Sequence, residues 1–344
     1  MLGREDIGID LGTASVLVYI KGRGVVLREP AMVAVDRNTR NILAVGEDAK
    51  RMQGRTPSHV VTIRPLRDGS INDFDITERM LRFFLHKVIG RRMLFRPRAT
   101  VCVPSGVTDV EKRSVIEAML DAGARRTQLM DSCIAAALGA GLDVAGPYGS
   151  MIVDIGGGVT DISVVSLERA IVRGTTKVAG DQFDETIIKY LRRKHNLMVG
   201  ERTAEELKLT IGAAIRRTEK LYMDVTGRNL VTGLPKTLRV HSDEIYEALE
   251  EPVQALVEQV HAVLERTPPE LAADIFDHGI TLLGAGSQLF GLAESLSRQL
   301  KVRCRVTEDP QACVAMGTGR AMESEDTYSR AMFDARQLKG YMSA

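Results

Sequence analysis

Two carboxylates, Asp154 and Asp161, bracket three consecutive glycines in MIVDIGGGVTDISVVSL, residues 151–167, and both flanks are apolar enough to be buried strands. A related sentence occurs near the start: IGIDLGTASVLVYI, residues 7–20, has an apolar run, Asp10, a glycine, small hydroxyl residues and a second apolar run. In a strand-turn-strand of this kind the backbone amides collect at the turn, and glycine lets the chain approach a polyphosphate with no Cβ in the way. Two such turns could grip one phosphate chain from both sides. Asp10 and Asp154 precede the turns, and a carboxylate does not bind phosphate directly, so a cation must stand between them. Magnesium fits, because it keeps most of its waters and is held by one or two carboxylates plus phosphate oxygens. The competing reading, that each turn is only a tight hairpin, is credible for one and weak for a matched pair.

A third glycine cluster, TLLGAGSQLFGL (281–292), follows another apolar strand and opens a helix. Amides at such a helix start suit an anion or a nucleoside hydroxyl. The spacing of a dinucleotide fingerprint is missing, and no acidic residue about 20 positions beyond a first strand-glycine-helix unit supports a Rossmann reading.

The elements that must position these turns form an α/β pattern. Strand-like runs at 7–20, 31–35, 99–103, 151–165 and 280–283 alternate with helical periodicity at 77–88, 110–122, 184–195, 204–223, 242–266 and 289–300. In the 110–122 helix, Val115, Met119 and Ala122 recur at helical spacing and Gly123 follows as the terminating residue. After about Met322 the sequence becomes a polar tail with no readable role.

Composition narrows the function classes. The 344 residues, 44% hydrophobic, can bury a large core and suit two or three domains, since single cores beyond roughly 250 residues tend to split. The 46 basic and 45 acidic residues nearly cancel, which gives no footprint for a nucleic-acid partner. Cys102, Cys133, Cys304 and Cys313 lie far apart without CxxC spacing, as expected of reduced, buried thiols in a cytoplasmic protein. No charged and apolar leader precedes Ile7 and no run of about 18 apolar residues occurs, so the sequence reads as neither secreted nor membrane-spanning. The six histidines show no HxxxH or HExxH spacing, and Ser105 in VPSGV is not inside GxSxG, so zinc and serine-hydrolase chemistry are disfavoured.

In order along the chain, DLGTAS, DIGGGVTD and LGAGSQ resemble the two phosphate loops and the adenosine loop of the actin, Hsp70 and sugar-kinase superfamily. The blocks GIDLGTASVLVYIKGRGVVLREPAMVAVD, AVGEDAKRMQGRTP, IRPLRDGSINDFDITERML, VCVPSGVTDVEKR, GERTAEELK, VLERTPPELAADI and EDPQACVAMGTGRA are similar to the MreB family of bacterial actins, over about residues 7–321. The resemblance implies an α/β, actin-like fold: two lobes, each with a five-stranded sheet flanked by helices, and four subdomains around a nucleotide cleft. Inner domain IA would hold 1–32, 75–146 and 315–344, and outer domain IB 33–74. Inner domain IIA would hold 147–182 and 250–314, and outer domain IIB 183–249.

By position the resemblance implies that Gly12, Thr13, Ala14 and Ser15 form the first phosphate loop, and Gly156, Gly157, Gly158 and Thr160 the second. Asp10 and Asp154 would order Mg2+ and its waters. Glu205, Glu206 and Lys208 would contact purine and ribose of ATP, joined by Gly284, Gly286, Ser287 and Gln288. Thr203 and Glu206 also have the spacing of a capping box at a helix start, and both readings can hold. The implied function is an ATP-dependent filament protein at the inner face of the cell membrane, working with the cell-wall elongation machinery and its transmembrane adaptors to maintain rod shape. A small-molecule kinase or an Hsp70-like ATPase on the same fold is the alternative; the latter would need a substrate domain beyond residue 344.

Three further expectations follow from the resemblance. GRRMLFRPRA (90–99) places Met93, Leu94 and Phe95 among arginines, where the family's loop inserts into membrane; the structural alternative is an apolar trio in the core with arginines at a helix C-terminus. The 107–124 helix resembles the one lying between paired protofilaments, with Val110 and Arg113 outward. Finally, the family reads Glu-Glu-Pro where this chain reads Asp131-Ser132-Cys133. The second glutamate orients the attacking water, so Ser132 implies slow hydrolysis, with Asp131 the less favoured substitute base.

Overall fold

The computed structural model describes residues 5–90, 96–104, 106–323 and 332–334. Two mixed sheets form its centre, built on one plan. In the first, β1 (Asp6–Leu11), β2 (Ser15–Ile20) and β3 (Gly24–Pro30) make an antiparallel meander. The small outer part follows: β4 (Val33–Asp36), β5 (Ile42–Val45), α1 (Glu47–Met52) and β6 (Val60–Ile63), with the strands in the order β5-β4-β6, then the two-residue pair β7 (Leu66–Arg67) and β8 (Ser70–Ile71). The chain returns through α2 (Phe74–Ile89), β9 (Arg98–Val103), α3 (Asp109–Ala122) and β10 (Arg126–Asp131), which extend the first sheet in parallel beside β1.

After α4 (Ser132–Gly139) the plan repeats. The strands β11 (Ser150–Ile155), β12 (Thr160–Ser166) and β13 (Arg169–Thr176) form the second meander. The second outer part holds α5 (Gly180–His195), β14 (Leu197–Met198), α6 (Glu201–Ile211), β15 (Tyr222–Asn229) and β16 (Pro235–His241). Next come α7 (Ser242–Glu265), α8 (Pro269–His278), β17 (Ile280–Leu283), α9 (Leu292–Leu300) and β18 (Cys304–Val306), where β17 and β18 run parallel to β11. The helix α10 (Cys313–Glu323) and the strand β19 (Met332–Asp334) then rejoin the first lobe.

The second sheet has five strands, as expected. The first has six, in the order β19-β10-β9-β1-β2-β3, because β19 from the tail pairs with β10. Each lobe has its own apolar core, and a third cluster lies between them around α4 and α10. That junction depends on two glycines: a Cβ on Gly139 would strike the backbone of Cys313, and one on Gly317 would strike the Ala135 carbonyl, so the helices meet backbone to backbone.

Local signals explain most element ends. Thr108 and Glu111 form the capping box of α3 and Gly123 closes it, as its spacing predicts. The predicted helix over 204–223 is a correction: α6 stops at Ile211 and β15 starts at Tyr222. Gly212 ends it with extended backbone, and the Ala214 amide then bonds the Phe290 carbonyl, so the loop is drawn to another element. The Thr203/Glu206 capping box is also absent, because α6 begins three residues earlier than that box requires, at Glu201 behind Gly200.

Candidate functional site

The two glycine turns are the corners of the β1-β2 and β11-β12 hairpins. Each is closed by the same bond: the Gly12 amide donates to the Ser15 carbonyl at 3.0 Å, and the Gly156 amide to the Val159 carbonyl at 3.0 Å. They face one another across the lobes. A Cβ on Gly157 would overlap the Ala14 methyl, and one on Gly158 would lie 2.8 Å from the Thr13 side chain. The glycines of the second turn therefore serve contact between the turns as well as access by a ligand. The α5 start is tied in as well, with the Gly180 and Asp181 amides bonding the carbonyls of Gly156 and Gly157.

Between these turns lies a cavity of about 200 Å³. Its lining brings together Asp10, Gly12, Thr13, Ala14, Ser15, Ser132, Asp154, Gly156, Gly157, Gly158, Glu205, Lys208, Gly284 and Gly286, which lie on five separate stretches of chain. The third glycine turn closes its floor: Gly284, at φ 78°, has no room for a side chain beside the Asp154 carboxylate and the Ile155 carbonyl. The helix expected from residue 289 begins at Leu292, after a 3-10 turn over Ala285–Gln288.

Several residues expected beside the ligand are placed elsewhere. Thr160 is buried in β12, and its hydroxyl donates to the Val178 carbonyl at 2.7 Å. Ser287 is buried and donates to the Gly284 carbonyl at 2.7 Å. Gln288 is exposed and accepts from Gln311, and Glu206 lies on the exposed side of α6. Asp131 has its oxygens occupied: one accepts from the Cys133 amide and the other pairs with Arg173 at 2.8 Å. By contrast Ser132 lines the cavity, and its buried hydroxyl has no hydrogen-bond partner among the described residues. Met93, Leu94 and Phe95 lie outside the described residues.

The sequence reading missed Arg64, Asp181 and Asp184, which also line the cavity, as does Asp161 at the end of the second glycine motif. Arg64, Asp181 and Asp184 fall outside the quoted glycine motifs. Arg64 and Asp181 pair with each other at 2.6 Å across the lobes, as do Lys50 with Glu205 at 2.9 Å and Lys177 with Asp68 at 2.6 Å. Lys208 pairs with Asp184 at 2.9 Å and donates to the Gly180 carbonyl. Glu205 and Lys208 thus stand at the cavity already held by protein partners.

Electrostatics single out the carboxylates. Burial pushes Asp10 up to about 7. Asp154 is raised well above the usual carboxylate range by burial and by the negative charges of Asp10 and Asp161. Asp184 is pushed up to about 6 by burial, against the pull of Lys208. Buried carboxylates facing each other resist joint ionisation unless a cation is shared. Asp10 and Asp154 fit a hard divalent ion that takes its remaining ligands from water and phosphate. Among the described residues there is no cluster of three or more histidine, cysteine or acidic side chains able to hold a metal alone.

Comparison with known proteins agrees with this geometry. The family model described as MreB/Mbl protein matches residues 4–330. The cell shape-determining protein Mbl of Bacillus cereus is 47% identical over 322 residues, covering 94% of this chain and 97% of that protein. Among solved structures, MreB5 of Spiroplasma citri bound to ADP superimposes with a TM-score of 0.90 at 33% identity, over 96% of this chain and 99% of that one. A MamK double helical filament matches with a TM-score of 0.79 at 21% identity, over 93% and 99%, which shows likeness of fold. The fold is actin-like, and the chain belongs to the MreB/Mbl family.

Proposed function

We propose that this chain is an ATP-binding cytoskeletal protein that polymerises into membrane-associated filaments and organises cell-wall synthesis to maintain rod cell shape, with slow ATP hydrolysis. The observation that carries the reading is the contact of the two glycine turns, one from each lobe, over a cavity lined by Asp10 and Asp154. A polyphosphate held there would be gripped by both lobes, so ligand binding and lobe closure would be one event. That the Spiroplasma citri MreB5 was solved bound to ADP supports a nucleotide ligand, and the half-buried carboxylates of Asp10 and Asp154 support Mg2+ beside it. In this reading the lobes divide into IA (1–32, 75–146, 315–344), IB (33–74), IIA (147–182, 250–314) and IIB (183–249).

Ser132 occupies the place where a glutamate would orient the attacking water. A hydroxyl is a far poorer proton acceptor, and general-base assistance is worth about 10² to 10⁴ in rate. Asp131 is a poor substitute because both its oxygens are engaged. A long-lived ATP state favours whichever lobe arrangement binds ATP better, and through it the polymer. Phosphate release under polymerising conditions should rise in Ser132→Glu and change little in Asp131→Ala; collapse of the rate in Asp131→Ala would make that residue the base.

The partners follow from the same reading: other copies of this chain in paired protofilaments, the inner face of the cell membrane, and the cell-wall elongation machinery with its transmembrane adaptors. Val110 on α3 is 72% exposed while Val115, Met119 and Ala122 are buried, which suits an outward contact face. Purified protein should pellet with ATP and form double filaments on anionic liposomes in electron micrographs. Val110→Glu should reduce these to single protofilaments, and serine at Leu94 and Phe95 should leave polymerisation intact while abolishing liposome co-sedimentation. Failure to pellet with any nucleotide would sink the filament reading.

A further inference from the structure

The tail strand β19 points to a binding groove with no role in the nucleotide site. It consists of three residues, yet it decides where the first sheet ends: β10 would be the sheet edge without it. The pairing is antiparallel, with Met332 opposite Met130, Phe333 opposite Leu129 and Asp334 opposite Gln128. Successive residues on a strand point to opposite faces, and here each apolar side chain has its own receptor. Met332, 6% exposed, joins the cluster between the lobes that holds Met130 and Cys102. Phe333 packs on the first lobe's core from the other face, and the Lys112 ammonium of α3 lies 5.3 Å from its ring centre.

β10 runs for six residues, of which three pair with β19 among the described residues. Thr127, next along the strand from Gln128, is 4% exposed, and its hydroxyl has no hydrogen-bond partner among the described residues. A buried hydroxyl without a partner is costly, and a strand extending past Gln128 could supply one. Backbone pairing along an exposed sheet edge, with pockets for alternate side chains, is the geometry by which sheets take up extended peptides.

We propose that the outer edge of β10 is a strand-acceptor groove whose resident occupant is the chain's own 332–334 segment, and that it accepts in trans an extended peptide carrying a large aliphatic residue followed by an aromatic one. The order is fixed by the two receptors: the aliphatic enters the cluster between the lobes, and the aromatic meets the first-lobe core under Lys112. The described pairing reaches Met130, the residue before Asp131 and Ser132, so an exchanged strand would touch the segment leading into the nucleotide cavity.

The test uses a fluorescent peptide of residues 329–337 and three forms of the protein: the full chain, a chain ending at Glu323, and a full-length chain with Met332→Ser and Phe333→Ser. Fluorescence anisotropy should show the peptide binding to the truncated and double-serine forms at least tenfold more tightly than to the full chain, whose groove is filled. A peptide with serine in place of Phe333 should bind none of them. The double-serine form keeps the measurement meaningful if truncation prevents folding. Equal binding to all three forms, or no binding to the folded double-serine form, overturns the proposal. Neither outcome depends on nucleotide binding or polymerisation.

Discussion

The two glycine turns share a backbone design and differ in what their side chains do. Both are hairpin corners closed by an amide-to-carbonyl bond of 3.0 Å, and both follow a strand ending near a half-buried aspartate. The first carries side chains at Thr13 and Ala14; the second carries none at Gly157 and Gly158, where those side chains arrive. One turn supplies the knobs and the other the space. The lesson is that a glycine run beside a ligand site answers to two demands, the ligand and the opposite lobe, and mutation can separate them.

The largest effect should come from filling that space. Gly157→Ala puts a methyl on top of Ala14, and overpacking of this kind costs about 1–3 kcal/mol. We expect a matching fall in unfolding free energy and a loss of nucleotide affinity of about tenfold or more, read by denaturant melts and a fluorescent nucleotide. Combining it with Ala14→Gly should restore most of both, the non-additivity expected of residues in contact. Gly12→Ala should do less, since its methyl would meet only its own turn, 3.0 Å from the Ser15 carbonyl. If the double variant shows no recovery, contact between the turns is not what requires glycine.

The next effect concerns the aspartates beneath the turns. Asp10 has a folded-state value of about 7 against 3.8 for the free group. A raised value means that the folded protein holds the proton over a range where the unfolded chain has released it. Without metal, this group's contribution to stability is therefore greatest below about pH 4 and is lost as pH rises through about 7. Mg2+ with nucleotide should reverse the trend, because the ion favours the ionised carboxylate. Melting temperatures from pH 5 to 8, with and without Mg-ATP, check this; an Asp10→Asn variant should flatten the metal-free slope, and an unchanged slope would exonerate Asp10.

The smallest effects on nucleotide affinity test the residues placed away from the cavity. Thr160→Val should lower stability by about 1–3 kcal/mol, by leaving the buried Val178 carbonyl without its donor, yet leave nucleotide affinity within about twofold. Glu206→Ala should alter affinity equally little, whereas Glu205→Ala should weaken it and also break the pair with Lys50. Loss of affinity on replacing Thr160 would return it to the phosphate loop.

How much was legible follows from what each feature depends on. The hairpins at 6–20 and 150–166 could be read because strand, glycine and strand are adjacent in sequence and the closing bond spans three residues. The capping box of α3 is equally local, with donor and acceptor one turn apart. The sequence by itself determined that Asp10 and Asp154 each lead into a glycine turn, and hence the chemistry offered. Only the tertiary structure decided that Gly157 meets Ala14, that α6 yields at Gly212 to a loop held by Phe290, and that Asp131 is taken by Arg173 while Ser132 lines the cavity. The tail strand shows the same limit, since nothing near Met332 signals a partner some two hundred residues earlier. Local patterns report bonds whose two ends lie within a few residues; contacts between distant segments depend on the packing of whole lobes, which no short stretch of sequence encodes.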